Sequence, residues 1–223
     1  MSVDDRHRAG PKRGRRVWDL LSFGGDSVER MQAPVGPLLI ENLALRGGEA
    51  VLDVGCGRGA HFQTVHDAIG PGGRLLGVDF SPRMVGQARR RVTANDWRNV
   101  EIIHADACRD PLGHEEFDAA LAVFSLSAMP DVHAAVQNIH AALRPGGRLF
   151  VLDLRLVPER RRLLIRLLRS LYRLLAGSSG EDVLAGLDAV FDTVEAVTKG
   201  GVRTPGRSRA WPPVTLVVAR KRA

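Results

Sequence analysis

Short apolar runs alternate with amphipathic stretches along most of this chain, and the alternation predicts its secondary structure. Five compact apolar runs are flanked by Gly, Pro, Asn or Asp, which is the pattern expected of buried β-strands. These runs span 50–54, 74–80, 100–106, 117–124 and 147–154. Helices are predicted between and before them, at 16–23, 36–45, 59–69, 82–96 and 132–143.

Local signals support the limits of two of these helices. Ser81 and Asp131 stand at the N-cap position of the helices predicted at 82–96 and 132–143, and Pro82 is at a first helical position, where its missing N–H costs nothing. The sequence 144–147 (RPGG) is expected to be a turn ahead of the fifth strand. These signals predict where the elements begin.

The order of the elements indicates an α/β fold. Strands that are apolar throughout and alternate with helices are typical of a parallel sheet covered on both faces. Near the C-terminus, 191–197 and 214–220 are strand-like but are joined by a Gly/Pro/Arg loop without room for a crossover helix. We therefore expect a seven-stranded, mostly parallel sheet with an antiparallel C-terminal strand pair.

Length and composition exclude several classes of protein. The chain has 223 residues, of which 44% are hydrophobic, so a disordered or fibrous chain is excluded. Its two cysteines have neither CxxC nor zinc-ligand spacing, which favours a reduced, cytoplasmic protein. We expect neither a signal peptide nor a membrane-spanning helix, because the chain has no apolar run long enough for either.

The net charge of +7 is unevenly distributed. Residues 1–16 carry +4, residues 155–176 carry +6 and residues 197–223 carry +7, so the rest of the chain carries −10. This pattern predicts an acidic body with three basic segments, the first of them a flexible arm. An anionic partner, either nucleic acid or a phospholipid surface, is worth testing.

A glycine-rich loop, GCGRG at 55–59, joins the first strand to its helix. Glycines let the backbone approach a ligand closely, and the helix N-terminus behind them favours negative groups. As GxGxxA, ending at Ala60, the loop would bind a dinucleotide, with Asp79 as the ribose-binding acid. As DxGxGxG, beginning at Asp53, it instead resembles the first motif of class I methyltransferases, which bind S-adenosylmethionine.

The later motifs favour the second interpretation. The runs VLDVGCGRG, GVDFSPRMV, HADA, FDAALAVFSLSAMPD and ALRPGGRLFVLD resemble, in order and spacing, the successive motifs of class I S-adenosylmethionine-dependent methyltransferases. The match covers about 48–154. The resemblance implies a Rossmann-like methyltransferase domain over 17–223, with S-adenosylmethionine as cofactor.

The resemblance also implies a role for each matching position. Asp53 and the glycine loop would hold the methionine part of the cofactor, and Asp79 would bind the ribose. Asp106 and the backbone of the next residue would recognise the adenine edge, the side chains at 80 and 84 would flank the ring, and the side chain at 124 would lie near the amino group. The implied cofactor-binding residues are Asp53, Gly55, Cys56, Gly57, Gly59, Asp79, Phe80, Met84, Asp106, Ala107 and Phe124.

No catalytic residue and no metal site are assigned. Methyl transfer is an in-line displacement whose activated group the cofactor already carries, so the protein mainly aligns donor and acceptor. His61, His104 and His133 are the candidate bases, and for each of them a structural or solvent-exposed position is the simpler expectation. Cys56 is expected to pack in the core and not to act as a nucleophile.

The segment after the fourth strand narrows the range of possible methyl acceptors. Enzymes that methylate exocyclic amines usually carry Asn/Asp-Pro-Pro-Tyr/Phe there, whereas this chain has FSLSAM at 124–129. The overall pattern, including Trp18 and Asp19 ahead of the glycine loop, is loosely similar to ubiquinone/menaquinone-biosynthesis and phospholipid N-methyltransferases. The expected acceptor is small and lipophilic: a quinone precursor, an aminophospholipid or a secondary metabolite.

An amphipathic helix is predicted at 160–175, with leucines on one face and arginines on the other. Its leucine face would pack on the domain as a lid or dimer face, or it would contact a membrane surface. In either case the insertion 155–190 is expected to cover the acceptor pocket. Two alternatives stay open: an RNA methyltransferase that uses the basic arm and tail, and a cofactor-binding protein without methyl transfer. The sequence predicts no oligomeric state.

Overall fold

A computed structural model of the chain describes residues 35–154, 180–197 and 214–223. The predictions for the arm 1–16, the helix 16–23, the amphipathic segment 160–175 and most of the insertion 155–190 lie outside the described residues. The strands are β1 (Ala50–Val54), β2 (Arg74–Asp79), β3 (Val100–His104), β4 (Phe117–Val123), β5 (Leu143–Leu154), β6 (Thr193–Ala196) and β7 (Val214–Arg220). The helices are α1 (Val35–Leu43), α2 (Phe62–Ile69), α3 (Pro82–Ala94), α4 (Val132–Ala142) and α5 (Val183–Asp188).

The strands form one seven-stranded sheet in the order β3-β2-β1-β4-β5-β7-β6. The first five strands are mutually parallel. The last strand, β7, is antiparallel to both of its neighbours, β5 and β6. The predicted α/β fold with an antiparallel C-terminal strand pair is therefore confirmed, and β7 lies inside the sheet while β6 forms its edge.

The largest departure from the predicted elements is in β5. The structure begins this strand at Leu143, so the predicted turn at 144–147 lies within it. Leu143 pairs with Phe117 and Arg148 pairs with Ala119, so four residues of β5 oppose one residue of β4. The Pro-Gly-Gly sequence thus interrupts the pairing of β5 with β4 without ending the strand, because β5 is paired with β4 both before and after it.

Helices cover both faces of the sheet, as the uniformly apolar strands predict. On one face, α1 packs against β5 and α2, while α2 and α3 pack against β2 and β3, with Phe62 and Leu39 fully buried among them. On the other face, α4 and α5 pack against the sheet, with Val136 and Leu187 fully buried. Among the described residues, no helix combines the length and apolar character needed to cross a membrane.

Two helices that flank the predicted site begin as expected. The Ser81 hydroxyl accepts a hydrogen bond from the Met84 N–H at 3.2 Å at the start of α3. The Asp131 carboxylate accepts one from the Ala134 N–H at 2.9 Å at the start of α4. Each cap satisfies an N–H group that the helix itself leaves unpaired.

The strand order reverses between β1 and β4. The chain runs from β1 outwards to β3 on one side, then returns to β4 and runs outwards on the other. In sheets of this kind ligands bind at the carboxyl ends of the strands where the order reverses. The glycine loop after β1 and the loop after β4 both lie at that point.

Candidate functional site

The glycine loop after β1 is held by backbone hydrogen bonds. The N–H groups of Gly55 and Cys56 donate to the carbonyl of Val78 on β2, at 2.8 and 3.0 Å. The N–H of Gly59 donates back to the carbonyl of Cys56 at 2.9 Å. The loop therefore folds on itself against the end of β2.

Three glycines of this loop have left-handed backbones, with φ of 70° at Gly55, 56° at Gly57 and 78° at Gly59. A Cβ at Gly55 would lie 2.4 Å from the Cβ of Ser125, and one at Gly59 would lie 2.4 Å from the ring of Phe62. A Cβ at Gly57 would meet nothing within 4 Å. The outer glycines are thus required by packing, whereas the space beside Gly57 is open to a ligand.

Asp79, the last residue of β2, is buried and turned towards this loop. One carboxylate oxygen accepts the Gly57 N–H at 2.9 Å, and the other accepts the Ser81 N–H at 2.8 Å. These two bonds hold the Asp79 carboxylate beside the glycine loop, at the carboxyl end of β2. This geometry fits the ribose role that the sequence predicts.

Asp53 lies near the end of β1 with 2% of its surface exposed. Its Oδ2 atom has no hydrogen-bond partner among the described residues. Burial, and then the charge of Asp79, raise the pKa of Asp53 to about 8. A buried carboxylate oxygen without a partner is costly, and a cationic amino group would satisfy it, so Asp53 and the opening at Gly57 fit the methionine end of S-adenosylmethionine.

Cys56 packs beneath the loop, as expected. A Cβ added at Gly77 would lie 3.1 Å from its Sγ atom, in the same cluster as Phe62. Burial, and then the charges of Asp53 and Asp79, raise the pKa of the Cys56 thiol well above its ordinary value. A thiol that stays protonated is a poor nucleophile.

The predicted adenine site lies just beyond β3, which ends at His104 and not at Asp106. The carbonyl of Asp106 accepts N–H groups from the following turn, which draws the chain out of the strand. Its Oδ1 atom accepts the Cys108 N–H at 3.0 Å. The carbonyl of Ala107 accepts a hydrogen bond from Asn138 Nδ2 at 2.8 Å. The turn that carries Asp106 and Ala107 is therefore fixed against α4.

Phe80 and Met84, the predicted adenine-flanking residues, are both half-buried. Phe80 follows β2 and Met84 lies in the first turn of α3. The carbonyl of Phe80 accepts a hydrogen bond from His104 Nε2 at 2.9 Å. Through that bond His104 holds the loop after β2, so its role is structural, as expected.

Phe124 leaves the end of β4 with a φ of 51°, a left-handed conformation that is strained for a non-glycine residue. Its N–H donates to the carbonyl of Leu152 at 2.7 Å. The next residue, Ser125, donates its hydroxyl hydrogen to the carbonyl of Val54 at 2.8 Å. The loop after β4 is thus connected to the end of β1, next to Gly55.

The remaining candidate bases are separate from one another. His61 is buried at the N-cap position of α2, and burial lowers its pKa to about 4, so it is neutral at physiological pH. His133 is exposed on α4. The described part of the chain also contains no cluster of His, Cys, Asp or Glu able to hold a metal ion.

Two residues of the site were not singled out from the sequence. Asp153, near the end of β5, is fully buried and binds the loop after β4. Arg91, on α3, donates to the carbonyl of Gly59 at 2.7 Å. A lone acid inside the apolar run LFVLDL was the available signal for Asp153, whereas Arg91 lies in a run of three arginines that gave no reason to select it.

Comparisons with known proteins give a family model, curated relatives and solved structures that this chain resembles. Residues 51–147 match the family model described as "Methyltransferase domain". The demethylmenaquinone methyltransferase of Listeria monocytogenes is 35% identical over 111 residues, which are 50% of this chain and 47% of that protein. The chain thus spans about half the length of the curated relatives it matches.

Solved structures share the fold. A SAM-dependent methyltransferase from Aquifex aeolicus superposes with a TM-score of 0.60 at 18% identity, over 83% of this chain and 88% of that one. The geranyl diphosphate C-methyltransferase of Streptomyces coelicolor, solved with S-adenosyl-L-homocysteine, gives 0.66 at 16% identity, over 86% and 77%. The chain thus resembles methyltransferases in sequence over residues 51–147 and shares its fold with solved S-adenosylmethionine-dependent methyltransferases.

Proposed function

We propose that the protein transfers the methyl group of S-adenosylmethionine to a small, lipophilic acceptor. When bound, the cofactor supplies a methyl group already activated on a sulfonium, so the chain's own residues bind, orient and exclude water. Asp53 and the loop at Gly57 would hold the methionine end. Asp79 would hold the ribose, and the turn at 106–107 would recognise the adenine.

The proposal of a lipophilic acceptor rests on the apolar surface of the loop after β4. Both of its serines donate hydroxyl hydrogen bonds within the protein: Ser125 to the carbonyl of Val54, and Ser127 to the carboxylate of Asp153. The half-buried side chains that remain are Phe124, Ala128 and Met129. An apolar surface at the carboxyl ends of the central strands favours an acceptor with apolar area to bury.

The printed names of the relatives support the same class of acceptor. The curated relatives are demethylmenaquinone methyltransferases, and a structural neighbour is a C-methyltransferase of geranyl diphosphate. Both names describe acceptors with isoprenoid or quinone character. A quinone precursor is therefore the first acceptor to test, ahead of an aminophospholipid or another small metabolite.

We also propose that the insertion 155–190 covers the acceptor pocket within a domain that spans 17–223. Its sequence places leucines on one helical face at 160–175, which suits contact with an apolar acceptor or with the surface of a membrane that contains it. The described part of this insertion, α5, packs against α4 through Val183 and Leu187. The described end of the insertion therefore lies on the sheet face opposite α2 and α3.

The experiment follows a labelled methyl group from S-adenosylmethionine into three acceptors: a reduced short-chain demethylmenaquinone, phosphatidylethanolamine vesicles and total RNA. We expect label in the quinone or lipid extract, and we expect S-adenosylhomocysteine to raise the melting temperature by mass action. Label in the RNA fraction would contradict the lipophilic acceptor. A thermal shift without transfer to these acceptors or to fractionated cell extract would instead indicate a cofactor-binding protein.

A further inference from the structure

Arg91 contacts the glycine loop from a different part of the chain. It lies in the last turn of α3, is half-buried, and its Nη1 atom is 2.7 Å from the carbonyl oxygen of Gly59. The two residues are 32 positions apart in sequence. This hydrogen bond therefore exists only because the fold brings the last turn of α3 close to the end of the glycine loop.

The loop needs such contacts because glycine loses more conformational freedom on folding than any other residue. The segment after β1 contains three glycines, and all three have left-handed backbones. The unit formed by β2 and α3 restrains the loop at three successive points: the carbonyl of Val78 at its start, Asp79 at Gly57, and Arg91 at Gly59. Arg91 is the restraint at the end of the loop, where α2 is about to begin.

The bond also fixes the direction of a peptide group. The carbonyl of Gly59 accepts the Phe62 N–H at 3.2 Å as well as the guanidinium of Arg91, so two donors occupy its two lone pairs. In a trans peptide the C=O and the following N–H point in opposite directions. Holding the Gly59 carbonyl towards α3 therefore turns the Ala60 N–H away from α3, in the turn that leads into α2.

N–H groups of a glycine-rich turn that leads into a helix attract negative groups. The part of the cofactor assigned to this loop ends in an α-amino acid, whose carboxylate suits such a site. We propose that Arg91 is a positioning residue for the amino-acid part of the cofactor, and that it acts by orienting the Gly59–Ala60 peptide without touching the ligand. The inference rests on the proposed function, because it requires that S-adenosylmethionine binds here.

The test compares two ligands that differ only in this part. S-adenosylhomocysteine carries the amino acid, whereas 5′-methylthioadenosine keeps the adenine and ribose and lacks it. Calorimetric dissociation constants are measured for the wild type, Arg91→Met and Arg91→Lys, with Arg90→Met as the matched control. Arg90 precedes Arg91 on the same helix and is exposed, so its substitution removes the same charge.

We expect Arg91→Met to weaken S-adenosylhomocysteine roughly tenfold, a loss typical of one hydrogen bond to a charged group, and to change 5′-methylthioadenosine less than twofold. Arg91→Lys keeps a cationic donor and should recover part of the loss, whereas Arg90→Met should leave both ligands unchanged. The selectivity distinguishes positioning from a structural role, because general damage to the fold would weaken both ligands alike.

Equal losses for the two ligands, or no loss for S-adenosylhomocysteine, would overturn the inference. If Arg91→Met does not fold, the same selectivity measured with Arg91→Lys decides the matter. A wild-type protein that binds neither ligand would overturn the proposed function and this inference together. Wild-type binding combined with an unselective variant would overturn the inference alone.

Discussion

Without a bound cation, burial favours the protonated form of Asp53 at neutral pH, although its side chain is normally acidic. It is buried near the end of β1 beside Asp79, and burial followed by that neighbouring charge raises its pKa from 3.8 to about 8. Between these two values the folded protein binds a proton that the unfolded chain has released. The free energy of unfolding therefore falls as pH rises through this window.

Asp53→Asn removes this titration, so we expect its stability to depend less on pH than that of the wild type. One proton corresponds to a slope of up to about 1.4 kcal/mol per pH unit. Urea unfolding at pH 5.5 and pH 7.5 measures the difference between the two proteins. Equal pH dependence would show that Asp53 is ionised throughout, contrary to the environment described for it.

Asp79 gives a second prediction at the scale of a residue. Its two oxygens accept the N–H groups of Gly57 and Ser81, so removing the carboxylate releases the glycine loop and also the proposed ribose contact. We expect Asp79→Ala to weaken S-adenosylhomocysteine by at least about tenfold, since each lost hydrogen bond to a charge is worth roughly 1.5–3 kcal/mol. The control is Asp188→Ala, an exposed acid on α5; unchanged affinity in Asp79→Ala would contradict the assignment.

The loop after β4 is an element whose shape depends on one buried carboxylate. Asp153 is fully buried and accepts hydrogen bonds from the N–H and hydroxyl of Ser127, and from the N–H of Leu154 at 2.7 Å. A backbone hydrogen bond from Leu126 also stabilises its ionised form, although burial raises its pKa. With its acceptor positions occupied by these donors, Asp153 acts as an anchor for the loop and is not a general base.

We therefore expect Asp153→Asn to destabilise the protein more than Ser127→Ala does. The amide places an NH2 group against backbone donors and leaves them unpaired, at a cost of about 1–3 kcal/mol each. The serine variant loses a single hydroxyl and should cost about 1 kcal/mol. Urea unfolding of both variants and of the double variant measures their coupling. Additive effects would show that the two side chains act independently.

At the scale of the whole molecule, the basic charge and the described body are separate. The described residues contain 14 Lys and Arg against 19 Asp and Glu, although the full chain carries +7. The excess of arginine therefore belongs to segments outside the described residues, among them 160–175. The charge that first suggests an anionic partner is not a property of the sheet and its helices.

If the segment 160–175 contacts a membrane, the protein should bind vesicles that contain phosphatidylglycerol more strongly than neutral phosphatidylcholine vesicles. Binding should weaken between 0.1 and 0.5 M salt because exposed charges are screened. A variant with Arg162, Arg166, Arg169 and Arg173 changed to Gln should lose most of this preference, measured by co-sedimentation. Equal binding to both vesicle types would favour packing of the helix on the domain.

The fold class, the order of the elements and the resemblance to methyltransferases were all predictable from the sequence. Strands that are apolar on both faces are buried when helices cover both sides of the sheet. The resemblance rests on the order of the motifs along the chain and on the distances between them. Caps at Ser81 and Asp131 were predictable because they depend on neighbours within one helical turn. The positions of Asp53 near the end of β1 and of Asp79 at the end of β2 followed from the same local pattern. Asp106, predicted to end the third strand, instead lies two residues beyond β3.

The tertiary structure alone decided which groups meet. The contact of Arg91 with Gly59, the burial of Asp153 against Ser127 and the insertion of β7 between β5 and β6 join residues far apart in sequence. Periodicity reports whether a side chain is buried, but not which donor lies opposite it. The residues that hold the glycine loop and the loop after β4 in place therefore became visible only once the sheet had brought their elements together.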